Sequence, residues 1–242
     1  MSRVCQKGGK IEAQQSPSGY NPALTAVESH GIPAVPSQAR EPSAGGLYSR
    51  FAQVVSGVGS PPVVASAAIL VTALRGTSAH TASAQAVLWA VGQVALSVLA
   101  PFWYVVWLVK RGDITDVDVR LRKQRIGPLL VTVACTGVAW MGLWMGGAPR
   151  GLIWVAGGMW LQGLMILGIT SRWKISVHTA TAAAATTWSS LLLQTPLPAL
   201  LVVPLVAWSR VWLRRHTVLQ TVAGAALGFI LFLALWHLGG GG

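Results

Sequence analysis

Between residues 61 and 238 the sequence is a succession of seven apolar segments, separated by short turns that are basic or rich in Gly and Pro. No other feature restricts the fold as much. The hydrocarbon core of a bilayer is about 30 Å thick, and a helix crosses it with roughly 20 apolar residues. Composition agrees: the chain is 53% hydrophobic and 10% charged, with mean hydropathy +0.57, which excludes an ordinary soluble domain. The expectation is an all-α fold: a polytopic transmembrane bundle of six to seven helices over residues 60–242, behind a disordered polar tail over residues 1–59.

The tail is rich in Ser, Gly, Pro, Ala and Gln and has no sustained apolar period. No apolar core follows Arg3, Lys7 and Lys10, so it does not read as a signal peptide. Residues 51–58 form a candidate interfacial helix. Residues 61–74 give only about 21 Å of helix, short for a span. Residues 85–109 give a long helix that Pro101 bends, with Trp103, Tyr104 and Trp107 suited to an interface. A polar loop is expected over residues 110–127. Residues 128–145 and 151–170 form a helical pair around Gly146-Gly147-Ala148-Pro149. Residues 175–193 are small and polar for a membrane helix, which suits close packing rather than lipid exposure. Residues 197–213 and 217–238 complete the set, the last with Gly224 and Gly228 in a G-x-x-x-G pair. Cys5 and Cys135 fit neither a metal spacing nor a disulfide framework.

The formal net charge is +12. The basic residues lie in the turns between apolar runs, which suits lipid headgroups or phosphate ligands rather than nucleic acid. Counting spans puts three turns on one membrane face. They carry Arg120, Arg122, Lys123 and Arg125; then Arg172, Lys174 and His178; then Arg210, Arg214, Arg215 and His216. The opposite face has little beyond Arg75, His80, Arg150 and His237. Arg offers paired donors to phosphate oxygens, and His serves as nucleophile or general acid. Ionisable groups at membrane helix ends are functional candidates by default.

At these residues the sequence resembles the type 2 phosphatidic acid phosphatase superfamily, the lipid phosphate phosphatases related to vanadium haloperoxidases. Its motifs are K-x6-R-P, P-S-G-H and S-R-x5-H-x3-D. Ser209-Arg210, five residues and His216 reproduce the third, with Gln220 where Asp is expected. Ile175-Ser176-Val177-His178 keeps the Ser and His of the second. Arg125 stands for the Arg of the first, followed by Ile126, with Asp118 where the Lys would fall. Arg122 or Lys123 could substitute in space.

The resemblance implies an enzyme, a metal-independent lipid phosphate phosphatase with no cofactor. His216 would attack phosphorus and form a phosphohistidine, and His178 would protonate the leaving oxygen. Arg210, Lys174 and Arg125 would hold the equatorial oxygens, with Ser176 and Arg122 as further phosphate ligands. Gln220 would orient His216 through its carbonyl without supplying a charge. The implied partners are membrane lipids and a lipid or isoprenyl phosphate or diphosphate. Two alternatives stand beside this reading. One is a catalytically silent member acting as membrane scaffold or accessory subunit. The other is an intramembrane prenyltransferase, because Asp113, Asp116 and Asp118 resemble its aspartate-rich motif; that enzyme needs a second acidic cluster, and no acid follows Asp118. The expected location is a bacterial inner membrane. The positive-inside rule puts the basic face in the cytoplasm, although many members of the resembled family face outward.

Overall fold

The computed structural model describes residues 46–75, 84–117, 119 and 122–240, with the side chains of Arg122, Lys123 and Gly240 outside the described set. The polar tail before residue 46, His80, Asp118 and Arg120 also lie outside it. Within the described residues the fold is entirely helical. In chain order the helices are α1 (Leu47–Val58), α2 (Pro61–Arg75), α3 (Ala84–Arg111), α4 (Arg122–Met145), α5 (Arg150–Arg172), α6 (Val177–Leu192), α7 (Leu197–Trp212) and α8 (Val218–Leu235). By length and apolarity, α3, α4, α5 and α8 with its following turn can each cross a membrane. Helices α1 and α2 together form a further apolar unit bent by 45°. The chain is a membrane protein.

Helix α6 is the axis of the bundle. Its His178 to Ala180 and Ala182 to Trp188 are all buried, so the helix meets protein on nearly every side. Small side chains allow that. On α8, a Cβ at Gly228 would collide with the backbone oxygen of Ala180 and lie 2.8 Å from the nitrogen of Ala184. One at Gly224 would come within 2.6 Å of the Ser176 oxygen. The G-x-x-x-G pair therefore lets α8 lie directly against the backbone of α6. On another side of α6, the Trp188 indole N–H donates to Thr72 Oγ1 of α2 at 2.9 Å, and that hydroxyl donates to the Ala68 carbonyl at 2.7 Å. Ile69, Leu152, Val155, Trp188 and Phe232 fill the core around this contact.

Helices α4 and α5 form the expected hairpin. Trp140 and Trp160 stack with centroids 5.0 Å apart, and each indole covers a glycine of the facing helix, Gly157 and Gly137. Pro101 disturbs α3 as expected: a π-turn over Ala95–Leu99 precedes it, because proline cannot donate to the Ser97 carbonyl and its ring crowds that group.

Two boundaries differ from the sequence reading. Helix α1 begins at Leu47 rather than residue 51. It buries Ser49, Ala52 and Ser56 and exposes Leu47, Tyr48, Phe51, Val54 and Val58. Tyr48 and Phe51 lie against Trp212 and Trp208 of α7. The small polar residues that suggested a tail are its packing face. Helix α4 begins at Arg122, six residues before Pro128, within the stretch expected to be loop. Pro128 therefore sits inside the helix, where it cannot donate to the Gln124 carbonyl, and the extra turns carry Arg125 onto the helix.

Candidate active site

The S-R-x5-H spacing has a local structural cause. Helix α7 ends at Trp212, and Arg214 takes a left-handed conformation with φ of 52°. Arg214 N–H then bonds the Val211 carbonyl at 2.9 Å, and Arg215 N–H bonds the Arg210 carbonyl at 3.0 Å. This pair is a Schellman helix stop. The Arg210 carbonyl also accepts His216 N–H at 3.3 Å. Arg210 and His216 are thus tied through one carbonyl, and five residues is what the helix stop needs between them.

Helix α8 starts immediately afterwards. Thr217 is its N-cap, and Thr217 and Gln220 make a capping box: Gln220 N–H donates to Thr217 Oγ1, and Thr217 N–H donates to Gln220 Oε1, both at 3.3 Å. Because a backbone N–H can only donate, the Gln220 atom facing it is the oxygen. That same oxygen is 3.0 Å from His216 Nδ1. Nδ1 therefore carries the proton, and Nε2 keeps a free lone pair.

Ser176 is the N-cap of α6, accepting Thr179 N–H at 3.4 Å, and its own N–H donates to the Gln220 carbonyl at 3.2 Å. The second and third motifs are thereby joined by a backbone bond. His178, in the first turn of α6, is buried, with Nε2 3.4 Å from Arg210 Nη1. Arg125 reaches over from α4, donating from Nε to the Val119 carbonyl at 2.7 Å and from Nη1 to the Ile175 carbonyl at 3.3 Å.

Arg125, His178 and His216 line the head of one cavity of about 290 Å³. Its walls are mostly apolar and come from α2, α3, α4, α5 and α6, including Ala65, Val98, Phe102, Leu129, Met159 and Ile166. Among the other expected ligands, Arg210, Lys174 and Ser176 do not line it. Arg210 is 1% exposed and sits behind His178. Lys174 Nζ donates to the Arg215 carbonyl at 2.9 Å. Ser176 is fully buried as a cap. Arg122 opens α4, but its side chain is outside the described residues.

The electrostatics follow the burial. Desolvation, then the Arg125 charge, pushes the His216 imidazole down to about 3, against an opposing bond from Gln220. Lys174 is lowered from its usual value by desolvation first, then by Arg125 and Arg210, with Asp116 acting the other way. The site is a pocket of net positive charge holding a neutral histidine. In the acidic cluster, Asp113 pairs with Arg111 at 3.3 Å on the surface. Among the described residues no group of three His, Cys, Asp or Glu is placed to hold a metal ion.

Residues 152–240 match the family model described as PAP2 superfamily. That segment belongs to the superfamily. The family resemblance is borne out for that segment, which contains His178, Arg210, His216 and Gln220; Arg125 and α1 lie outside it. The superfamily includes phosphatases. No curated protein and no solved structure matches the chain.

One contact escaped the sequence reading. Ser56, on α1, accepts a hydrogen bond from Arg210 Nη1 at 2.7 Å. No motif marks Ser56; the only signal was a small polar residue on the inward face of a short amphipathic segment.

Proposed function

We propose that the protein is an integral-membrane phosphatase that hydrolyses a lipid or isoprenyl phosphate through a phosphohistidine on His216, without a metal. One observation carries this reading: Arg125, His178 and His216 meet at the head of a cavity whose walls are apolar. A phosphate would sit at the charged end while its chain lies between the helices.

The chemistry follows from the proton positions. His216 Nε2 holds the lone pair that attacks phosphorus, forming the P–N bond as the bond from phosphorus to the leaving oxygen breaks. Its Nδ1 proton stays on the bond to Gln220 Oε1, which disperses the charge the ring acquires. His178 gives a proton to the leaving oxygen and then takes one from the water that hydrolyses the phosphohistidine. Arg125 stabilises the equatorial oxygens where charge gathers in the transition state. Arg210 acts on the same centre from behind His178. We place the protein in a bacterial inner membrane; its basic face favours the cytoplasmic side.

The test is phosphate release in EDTA by detergent-purified protein from phosphatidate and from farnesyl diphosphate, with His216→Ala as control. Release abolished by the substitution supports the reading, as does acid-labile, base-stable radiolabel on His216. Wild-type release no greater than that of the variant removes it.

A further inference from the structure

Below the histidines the cavity continues to a second polar feature. Gln162 of α5 is 4% exposed, and its Nε2 is buried with no hydrogen-bond partner. It lines both the main cavity and a small gap beyond it, beside Thr181. An amide N–H left unpaired in such a place is costly. The nearby hydroxyls do not relieve it. Ser97 donates to the Gln93 carbonyl, Thr132 to the Pro128 carbonyl and Thr136 to the Thr132 carbonyl, each within its own helix. The other deep walls, Val98 and Met159, are apolar. Nε2 finds no acceptor in the protein, and a ligand oxygen in the cavity that this side chain lines would supply one.

Its depth is set by the packing. Ile166 packs with Ile175 and Ala180, which flank His178 in sequence, so Ile166 and His178 are nearly level. Gln162 lies four residues earlier on α5, about 6 Å deeper at 1.5 Å per residue. Thr181, Ala184 and Ala185 share its gap and agree with that depth.

We propose that Gln162 is a specificity-determining residue. Its carboxamide donates to a neutral oxygen on the ligand's chain, about one helical turn from phosphorus. The site then favours lipid phosphates carrying an ester, ether or hydroxyl oxygen at that distance over chains that are hydrocarbon throughout. In an acylglycerol phosphate the glycerol carbons and the ester linkage bring a carbonyl into that range. In an isoprenyl phosphate the same stretch is hydrocarbon and leaves the amide unpaired. A site built to bond a polar group discriminates strongly against an analogue that lacks it. This inference rests on the phosphatase reading and narrows its substrate.

The experiment compares kcat/KM for 1-palmitoyl-glycerol-3-phosphate, hexadecyl phosphate and farnesyl phosphate in the same mixed micelles. The variants are Gln162→Leu and Gln162→Met, which keep bulk, remove the donors and suit an apolar wall. Wild type is expected to favour the glycerol ester by about tenfold or more, and either variant to bring the ratio close to one. Equal wild-type use of all three probes, as when water satisfies the amide, overturns the proposal and leaves the phosphatase reading intact. So does a variant that lowers every probe equally, since that marks a packing role. Release from no probe above the His216→Ala background overturns both.

Discussion

Arg210 on the last turn of α7 donates from Nη1 to Ser56 Oγ on α1 at 2.7 Å, and the same nitrogen lies 3.4 Å from His178 Nε2. A helix outside the matched PAP2 segment therefore fixes how the motif arginine meets the motif histidine. Removing one partner from a buried charged donor costs about 1–3 kcal/mol, against the smaller net value of an exposed bond. Ser56→Ala is expected to lower kcat/KM for phosphate release by roughly tenfold. Ser56→Thr keeps the hydroxyl and should restore most of it. Equal rates for wild type and the alanine variant would show that the bond does not set the arginine's position.

Gln220 accepts from two donors, His216 Nδ1–H and Thr217 N–H. Gln220→Leu removes both bonds and frees the imidazole to take the other tautomer, with the proton on the attacking nitrogen. A loss of roughly a hundredfold in phosphohistidine formation is expected, by comparison with the larger penalty of tautomer loss in a serine-protease triad. Gln220→Glu has the same reach and adds the negative charge that the superfamily's Asp supplies. It should raise the His216 pKa and increase the rate near neutral pH. Single-turnover labelling of the two variants separates these effects.

How much of this was legible in the sequence depends on which interactions were local. The seven apolar segments all became helices because length and apolarity are local properties. The Ser209-Arg210 to His216 spacing was readable because a single helix stop produces it. Arg125 was placed by the resemblance, but the helix that carries it was not, since Pro128 looked like a start and the turns before it are polar. Ser56 and Gln162 were invisible for a different reason. Each matters through a group more than a hundred positions away or through an enclosed space, and neither leaves a period or a spacing in the chain.

Burial and the Arg125 charge hold His216 at about 3 in the folded protein, below its ordinary 6.5. The unfolded chain therefore binds more protons between these values. Stability from this group is fully present above pH 6.5 and is lost as pH falls towards the folded value. The proposed nucleophile also stays neutral through mildly acidic conditions. Nitrogen-15 histidine NMR of the detergent-solubilised protein should show no His216 titration between about pH 5 and 7, where an ordinary histidine titrates. A midpoint inside that window would contradict the buried, positively flanked setting.

Arg214 is a non-glycine residue in the left-handed region, at the position where helix stops favour glycine. Its side chain is exposed. Arg214→Gly relieves the Cβ penalty and should stabilise the turn by up to about 1 kcal/mol, offset in part by the greater freedom of glycine when unfolded. Arg214→Val adds β-branching to the same conformation and should destabilise it. Thermal unfolding in detergent ranks the three proteins, and activity should follow, because the turn sets the distance from Arg210 to His216.

The contact between α6 and α8 brings the last prediction. His178 stands at the start of α6, and His216 immediately precedes α8, so the spacing of these helices sets the spacing of the histidines. Gly228 lies where a Cβ would meet the Ala180 oxygen and the Ala184 nitrogen. Both are backbone atoms of a buried helix, so no rotamer change can make room. Gly228→Val must push α8 away from α6, at a cost of about 3 kcal/mol or more. Gly168→Val is the control, since its Cβ would meet nothing within 4 Å. The Gly228 variant should unfold at lower temperature and lose phosphate release even below that temperature, because its two histidines no longer reach one phosphorus together. The control should keep both properties. A Gly228 variant that is less stable but fully active at low temperature would mean that the turns around Ser176 and Gln220 hold the site without help from the helices beneath them.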